Sequence, residues 1–259
     1  MKKLFAAVSV ALFAATASAG AFAADTIRFG VDASYPPFES KAADGKLVGF
    51  DIDLGNEICR RLDAKCVWIE NDFDGMIPAL KARKFDGVLS SMSMTPVREK
   101  EIAFSSKLFN TPTRLVAKTG SGIQPSAASL KGKRVGVEQG TIQEAYAKAH
   151  WANAGVEVVP YQNQDQVYQD LLAGRVDAAL QDAVQAEVGF LKTPRGKDYS
   201  FAGGDLDDPV TLGNGAGIGL RKEDTALKTK IDGAIASIIK DGTYKKIEKK
   251  YFDFDVYGK

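Results

Sequence analysis

Two segments of this chain read almost alike. Leu80-Lys81-Ala82-Arg83-Lys84-Phe85-Asp86-Gly87-Val88-Leu89 lines up with Leu171-Leu172-Ala173-Gly174-Arg175-Val176-Asp177-Ala178-Ala179-Leu180. In each, a helical stretch runs into an apolar strand through a basic residue, an apolar residue and an aspartate. A repeated helix-to-strand unit predicts two similar α/β bodies in one chain, with matching strand ends. After the aligned leucines come Ser90-Ser91 in one copy and Gln181-Asp182 in the other. Open α/β sheets hold ligands beyond the carboxyl ends of their strands. Two such bodies face to face would therefore bring Ser90, Ser91 and Arg98 from one side onto Asp182 from the other.

The surrounding periodicity fits that plan. Residues 27–31, 67–69 and 85–89 read as strands, and 49–62 and 76–84 as helices. This β-α-β-α-β series implies a mostly parallel sheet covered on both faces. The series recurs with strands at 133–137, 156–159 and 176–180 and helices at 141–153 and 164–173. Residues 108–117, β-branched and carrying Pro112, read as an extended crossing, and the glycine-rich 213–220 as the return. Residues 225–251 read as two amphipathic helices broken at Asp241-Gly242. The predicted class is α/β. A first lobe takes residues 24–110 and 215–259 and a second takes 114–207, with hinge crossings near 110–114 and 207–215. Such an architecture closes about its hinge.

The run Ser90-Ser91-Met92-Ser93-Met94-Thr95-Pro96-Val97-Arg98 carries the most pointed chemistry. Thr95 is a natural N-cap and Pro96 suits the first helical position. Hydroxyls, backbone amides and one guanidinium thus gather where a strand ends and a helix begins. Arginine offers a planar, bidentate donor fork, and helix N-termini favour anions, so the run suits a small carboxylate.

Composition narrows the class further. Lys2 and Lys3 precede an apolar run over 4–15 and then small residues, the pattern of a secretory signal. Cleavage fits after Ala19 or after Ala23; the latter gives 1–23 as the signal, because structured sequence begins near Thr26. The apolar run is well short of the ~20 residues that span a bilayer. The signal holds two of the 34 basic residues and none of the 33 acidic ones, which leaves the mature chain one charge to the acidic side of neutral. That balance argues against nucleic acid, which needs a basic face. Cys59 and Cys66 are the two cysteines, and in an exported chain a disulfide is the default reading. Closing so short a loop contributes only ~2–3 kcal/mol. Two thiols and the single His150 cannot build a usual zinc site, so no metal or other cofactor is expected. His150 is expected exposed near a helix end, without a role.

Several segments together resemble the periplasmic solute-binding proteins of polar amino-acid ABC transporters, in particular the lysine/arginine/ornithine and histidine binders. They are Gly49-Phe50-Asp51-Ile52-Asp53-Leu54, Asp72-Phe73-Asp74, the 90–98 run, Gly136-Val137-Glu138-Gln139-Gly140-Thr141, Asp177-Ala178-Ala179-Leu180-Gln181-Asp182, and Asp241-Gly242-Thr243-Tyr244 before Lys249-Lys250-Tyr251-Phe252. The similarity runs along nearly all of the mature chain and includes the cysteine pair. It implies a two-lobed periplasmic-binding-protein fold of type II. It also implies a monomer in the periplasm of a Gram-negative bacterium that closes on a cationic L-amino acid and delivers it to a membrane ABC permease complex. In the resembling proteins the ligand α-carboxylate meets the arginine matching Arg98 and backbone amides near Ser93 and Thr141. The α-ammonium meets the aspartate matching Asp182, helped by the loop of Ser91. The ligand side chain lies between rings matching Tyr35 and Phe73, and its distal cation meets positions matching Asp32, Ser90 and Gln143.

These positions also make sense as residues. Tyr35 precedes the stiff pair Pro36-Pro37, and Phe73 sits between two aspartates, an odd place for a core side chain. A ring stacked on a side-chain cation gains ~0.5–2 kcal/mol. Asp51 and Asp53 read instead as carboxylates favoured by a helix N-terminus. Two positions depart from the resembling proteins: Glu138 stands where they carry an apolar residue, usually leucine, and Ile142 replaces a threonine. A carboxylate at 138 beside Asp32 would favour arginine or lysine over neutral histidine. A larger arginine derivative such as an opine is an alternative ligand. No nucleophile–base pair is evident, so no catalytic residue is assigned. A dehydratase-like enzyme on the same fold would need a general acid in the cleft, for which Glu138 alone qualifies.

Overall fold

The computed structural model describes residues 25–258; the signal segment 1–23 lies outside the described residues. The chain opens with β1 (Asp25–Val31), a small hairpin sheet of β2 (Ser34–Tyr35), β3 (Glu39–Lys41) and β4 (Leu47–Val48), and α1 (Phe50–Arg61). It continues through β5 (Ala64–Glu70), α2 (Met76–Lys81), β6 (Gly87–Val88), α3 (Pro96–Glu101) and β7 (Ala103–Phe104). The second body follows: β8 (Thr113–Lys118), α4 (Ala127–Leu130), β9 (Arg134–Glu138), α5 (Ile142–His150), β10 (Glu157–Tyr161), α6 (Gln164–Leu172), β11 (Ala178–Asp182), α7 (Ala183–Ala186) and β12 (Tyr199–Leu206). The chain then returns to the first body as β13 (Gly219–Leu220), α8 (Thr225–Lys240) and α9 (Thr243–Glu248).

Two five-stranded sheets result, ordered β5-β1-β6-β13-β7 and β10-β9-β11-β8-β12. Each is mixed. In the first, β1 runs parallel to β5 and β6, while β13 lies antiparallel between β6 and β7. In the second, β9 runs parallel to β10 and β11, while β8 lies antiparallel to β11 and β12. The mostly parallel sheet expected from the helix–strand alternation is therefore corrected at one side of each body. There the two crossings end as antiparallel strands, satisfying backbone groups that a bare crossing would leave open.

Both sheets bury both faces, as their apolar strands require. Successive residues of β8 point to opposite sides. Leu115 joins Val135, Val137 and Trp151 on one side, and Val116 joins Val167, Tyr168 and Phe190 on the other. In the first body Phe38 stacks on Phe109 with centroids 4.7 Å apart, and Phe50 meets Phe252 edge-on at 5.1 Å. Cys59 and Cys66 are joined in a disulfide that ties the end of α1 to β5.

Several boundaries shift. The strand expected over 85–89 is regular only at Gly87–Val88, although the Asp86 and Leu89 N–H groups still donate to the Arg28 and Gly30 carbonyls of β1. The helix expected over 141–153 is regular only to His150, and a 3-10 turn covers 152–154. Of the residues 108–117 expected as a crossing, Thr113 onward belongs to β8. The hairpin sheet β2–β4 and the edge strand β12 had no counterpart in the sequence reading.

Candidate ligand-binding site between the lobes

The twelve positions singled out from the sequence line one cavity. They are Asp32, Tyr35, Phe73, Ser90, Ser91, Ser93 and Arg98 from the first body, and Glu138, Thr141, Ile142, Gln143 and Asp182 from the second. The aligned strand ends explain the convergence: β1 and β6 deliver Asp32 and the serines, and β9 and β11 deliver Glu138 and Asp182.

Arg98 follows from its local sequence. Thr95 caps α3 by accepting the Arg98 backbone N–H at 3.2 Å, and Pro96 occupies the first turn. The guanidinium donates to the Ser93 carbonyl at 2.8 Å and to the Gly140 carbonyl of the other body at 3.0 Å. Burial alone lowers its pKa to about 10, with no carboxylate to offset the cost. A buried, unneutralised guanidinium is a strong anion site. The ring of Phe73 lies 5.4 Å from its central carbon.

Asp182 is the last residue of β11 and the N-cap of α7, where it accepts the backbone N–H groups of Val184 and Gln185, both at 2.9 Å. Thr111, on the outward crossing, donates its hydroxyl to the other oxygen. Burial raises the Asp182 pKa to about 6. An amine in the cavity would restore the ionised form. Thr111 was missed in the sequence, where it sits in a run assigned only as a crossing.

Asp32 accepts both the backbone N–H and the hydroxyl of Ser34, at 3.1 and 2.6 Å. Burial raises its pKa. Its own N–H donates to the Ser90 hydroxyl, which in turn donates to Glu39 at 3.0 Å. Ser91, at φ +50°, donates its hydroxyl to Glu39 at 3.1 Å and its N–H to Asp51 at 2.8 Å. Glu39 is a cavity residue that the sequence reading missed. Asp51 stands in the first turn of α1, as expected, and there it is fully buried, bonded to the Ser91 loop and to Glu39. Burial lifts its pKa to about 7 and raises Glu39 well above the ordinary carboxyl value, so burial favours the protonated form of both acids.

On the second body, Thr141 caps α5 by accepting the Glu144 N–H at 3.2 Å and donates its hydroxyl to the Glu138 carbonyl at 2.6 Å. Ile142 begins the helix, and Gln143 donates to Thr113 at 3.1 Å. Glu138 is 2% exposed, and its Oε2 has no hydrogen-bond partner. Burial pushes its carboxyl well above the usual range, and Asp32, Asp74 and Asp72 push in the same direction.

The lobes touch around the cavity. Tyr35 donates its hydroxyl to Gln181 at 3.1 Å. Gln139 donates to Asp74 at 2.9 Å and Gln162 to Asp72 at 2.7 Å. Gly140, at φ +78°, lies against Asp74 so closely that a Cβ there would sit 2.7 Å from the Asp74 Cα. His150 ends α5, half exposed, in contact with Asp208 at 2.8 Å.

Two α/β bodies joined by two crossings, with opposed strand ends around one small polar cavity, define a two-lobed periplasmic-binding-protein fold. The chain belongs to the bacterial extracellular solute-binding proteins, family 3, whose model matches residues 27–254. It is 54% identical over 260 residues to the lysine/arginine/ornithine-binding periplasmic protein of Escherichia coli K12, covering all of both chains. It is equally 54% identical, over the full length of both, to the histidine-binding periplasmic protein of Salmonella typhimurium. An ancestral arginine-binding protein solved with arginine superposes with a TM-score of 0.81 at 38% identity, over 88% of this chain and 98% of that one.

Proposed function

We propose that this chain is a periplasmic receptor that closes on a cationic L-amino acid and hands it to a membrane ABC permease. The observation that carries the reading is the opposition, within one cavity, of Arg98 without a carboxylate partner and the buried carboxylate of Asp182. An α-amino acid supplies the complementary pair, a carboxylate for Arg98 and an ammonium for Asp182. Tyr35 and Phe73 line the space between, and Asp32 supplies a counter-charge at the far end. The cationic ligands named for the relatives fit this set of groups. The lobes, taken as residues 24–110 with 215–259 and residues 114–207, would part about the two crossings to admit the ligand. Export through the segment 1–23 and action as a monomer belong to the same reading.

Isothermal titration of refolded, ligand-stripped protein with arginine, lysine, ornithine, histidine and glutamine tests it. Submicromolar binding of at least one cationic amino acid is the expected result; binding of none overturns the reading. Incubation with prephenate addresses the enzymatic alternative through Glu138, and no turnover is expected.

A further inference from the structure

We propose that Glu138 is the specificity residue of the cavity: with Asp32 it makes the side-chain end a two-carboxylate receiver for a guanidinium, selecting arginine-type ligands over neutral ones of the same shape. The inference rests on the amino-acid reading given above and deepens it.

Three observations converge. The first is placement. Asp32 directly follows β1 of one lobe and Glu138 ends β9 of the other, and both line the cavity. The second is the tally of acceptors. Asp32 is engaged by Ser34, Glu39 by Ser90 and Ser91, and Asp182 by Thr111 and the first turn of α7. Glu138 alone among these four carboxylates has a buried oxygen without a donor. Native proteins rarely leave such an atom unsatisfied without a use for it. The third is the surrounding charge. The groups that act on Glu138 are Asp32, Asp74 and Asp72, all carboxylates of the facing lobe. The field at this end is negative from both sides.

The geometry of the donors then chooses among cations. Carboxylates approaching from opposite lobes need N–H groups pointing in more than one direction. A guanidinium presents five in a plane, carries its charge at every accessible pH, and stacks flat on rings such as Phe73. An ammonium is compact, with three donors. An imidazole has two, and is largely neutral near pH 7, so it leaves one carboxylate without a counter-charge. Citrulline keeps the shape of arginine and loses the charge.

The test is titration of arginine, citrulline and histidine into the wild-type protein and into Glu138→Gln and Glu138→Leu. The leucine variant removes the orphaned acceptor, so it guards against a result caused by misfolding. Wild-type protein should prefer arginine to citrulline by at least about 100-fold. Both variants should weaken arginine by about 10- to 100-fold while citrulline shifts less than about threefold. Parallel losses for arginine and citrulline, or unchanged arginine affinity, would overturn the inference and leave the receptor reading standing. Failure of the wild-type protein to bind any amino acid would overturn both.

Discussion

The Arg98 guanidinium bridges the two lobes: rooted in α3, it donates to the Gly140 carbonyl at 3.0 Å, in the turn that opens α5. The group proposed to meet a ligand carboxylate thus also touches the opposite lip. Arg98→Ala should nearly abolish binding of every amino acid. Loss of one partner of a buried charge pair costs ~2–5 kcal/mol, or roughly 30- to several-thousand-fold in Kd. Titration calorimetry reads this directly, and retention of glutamine or arginine affinity within threefold would refute the assignment.

Asp32 is the carboxylate proposed to meet the ligand's side-chain cation. Asp32→Asn should therefore discriminate among ligands, weakening arginine and lysine by about tenfold or more while glutamine changes little. Equal losses for arginine and glutamine would contradict its role.

The outer contacts between lobes are side-chain hydrogen bonds of Gln139 and Gln162 to Asp74 and Asp72. In the proposed receptor they would be made only when the lobes are closed. A hydrogen bond nets ~0.5–1.5 kcal/mol, so losing both in the Gln139→Ala/Gln162→Ala protein should weaken binding of all ligands by about five- to 150-fold, by the same factor for each. Small-angle scattering at subsaturating ligand should report a larger radius of gyration. A ligand-dependent factor would place these glutamines inside the recognition set instead.

Titration should reveal the buried Asp51–Glu39 pair. Burial holds Asp51 at about 7, against an ordinary 3.8, and Glu39 is displaced the same way. The folded state therefore binds protons more tightly than the unfolded chain, so this stabilisation is greatest near pH 4 and is lost as pH rises through about 7. Glu57, Asp208 and Asp241, lowered to about 2, act oppositely, and their stabilisation fails only below about pH 4. Tm should accordingly be higher at pH 5 than at pH 8, with the difference reduced in Asp51→Asn. An undiminished difference in that variant would exclude the pair as its source.

The parts legible in the sequence were those with local causes. The Thr95 cap, the Pro96 start and the duplicated helix-to-strand segment each declare themselves within ten residues, and they place Arg98 and Asp182 at facing strand ends. Glu39 and Thr111 lacked any such signal. Glu39-Ser40-Lys41 carries no motif, and its partners Ser90 and Ser91 lie far along the chain. What brings Glu39 inward is Gly49. At φ +136°, it lets the Phe38 carbonyl lie 2.1 Å from where a Cβ would be. The first turn of α1 then bonds to the preceding hairpin, with Asp51 N–H on the Phe38 carbonyl at 2.9 Å. The same contact keeps Asp51, in the first turn of α1, out of solvent.

Where Gly140 rests on Asp74, main chain meets main chain, and neither side has a rotamer that could yield. In the proposed receptor, closure would stop here at a limit set by the protein, whatever amino acid lies inside. The chamber would then work as a gauge of fixed length. A guest that fits would let the lips meet, and one a few bonds too long would wedge them apart at this point.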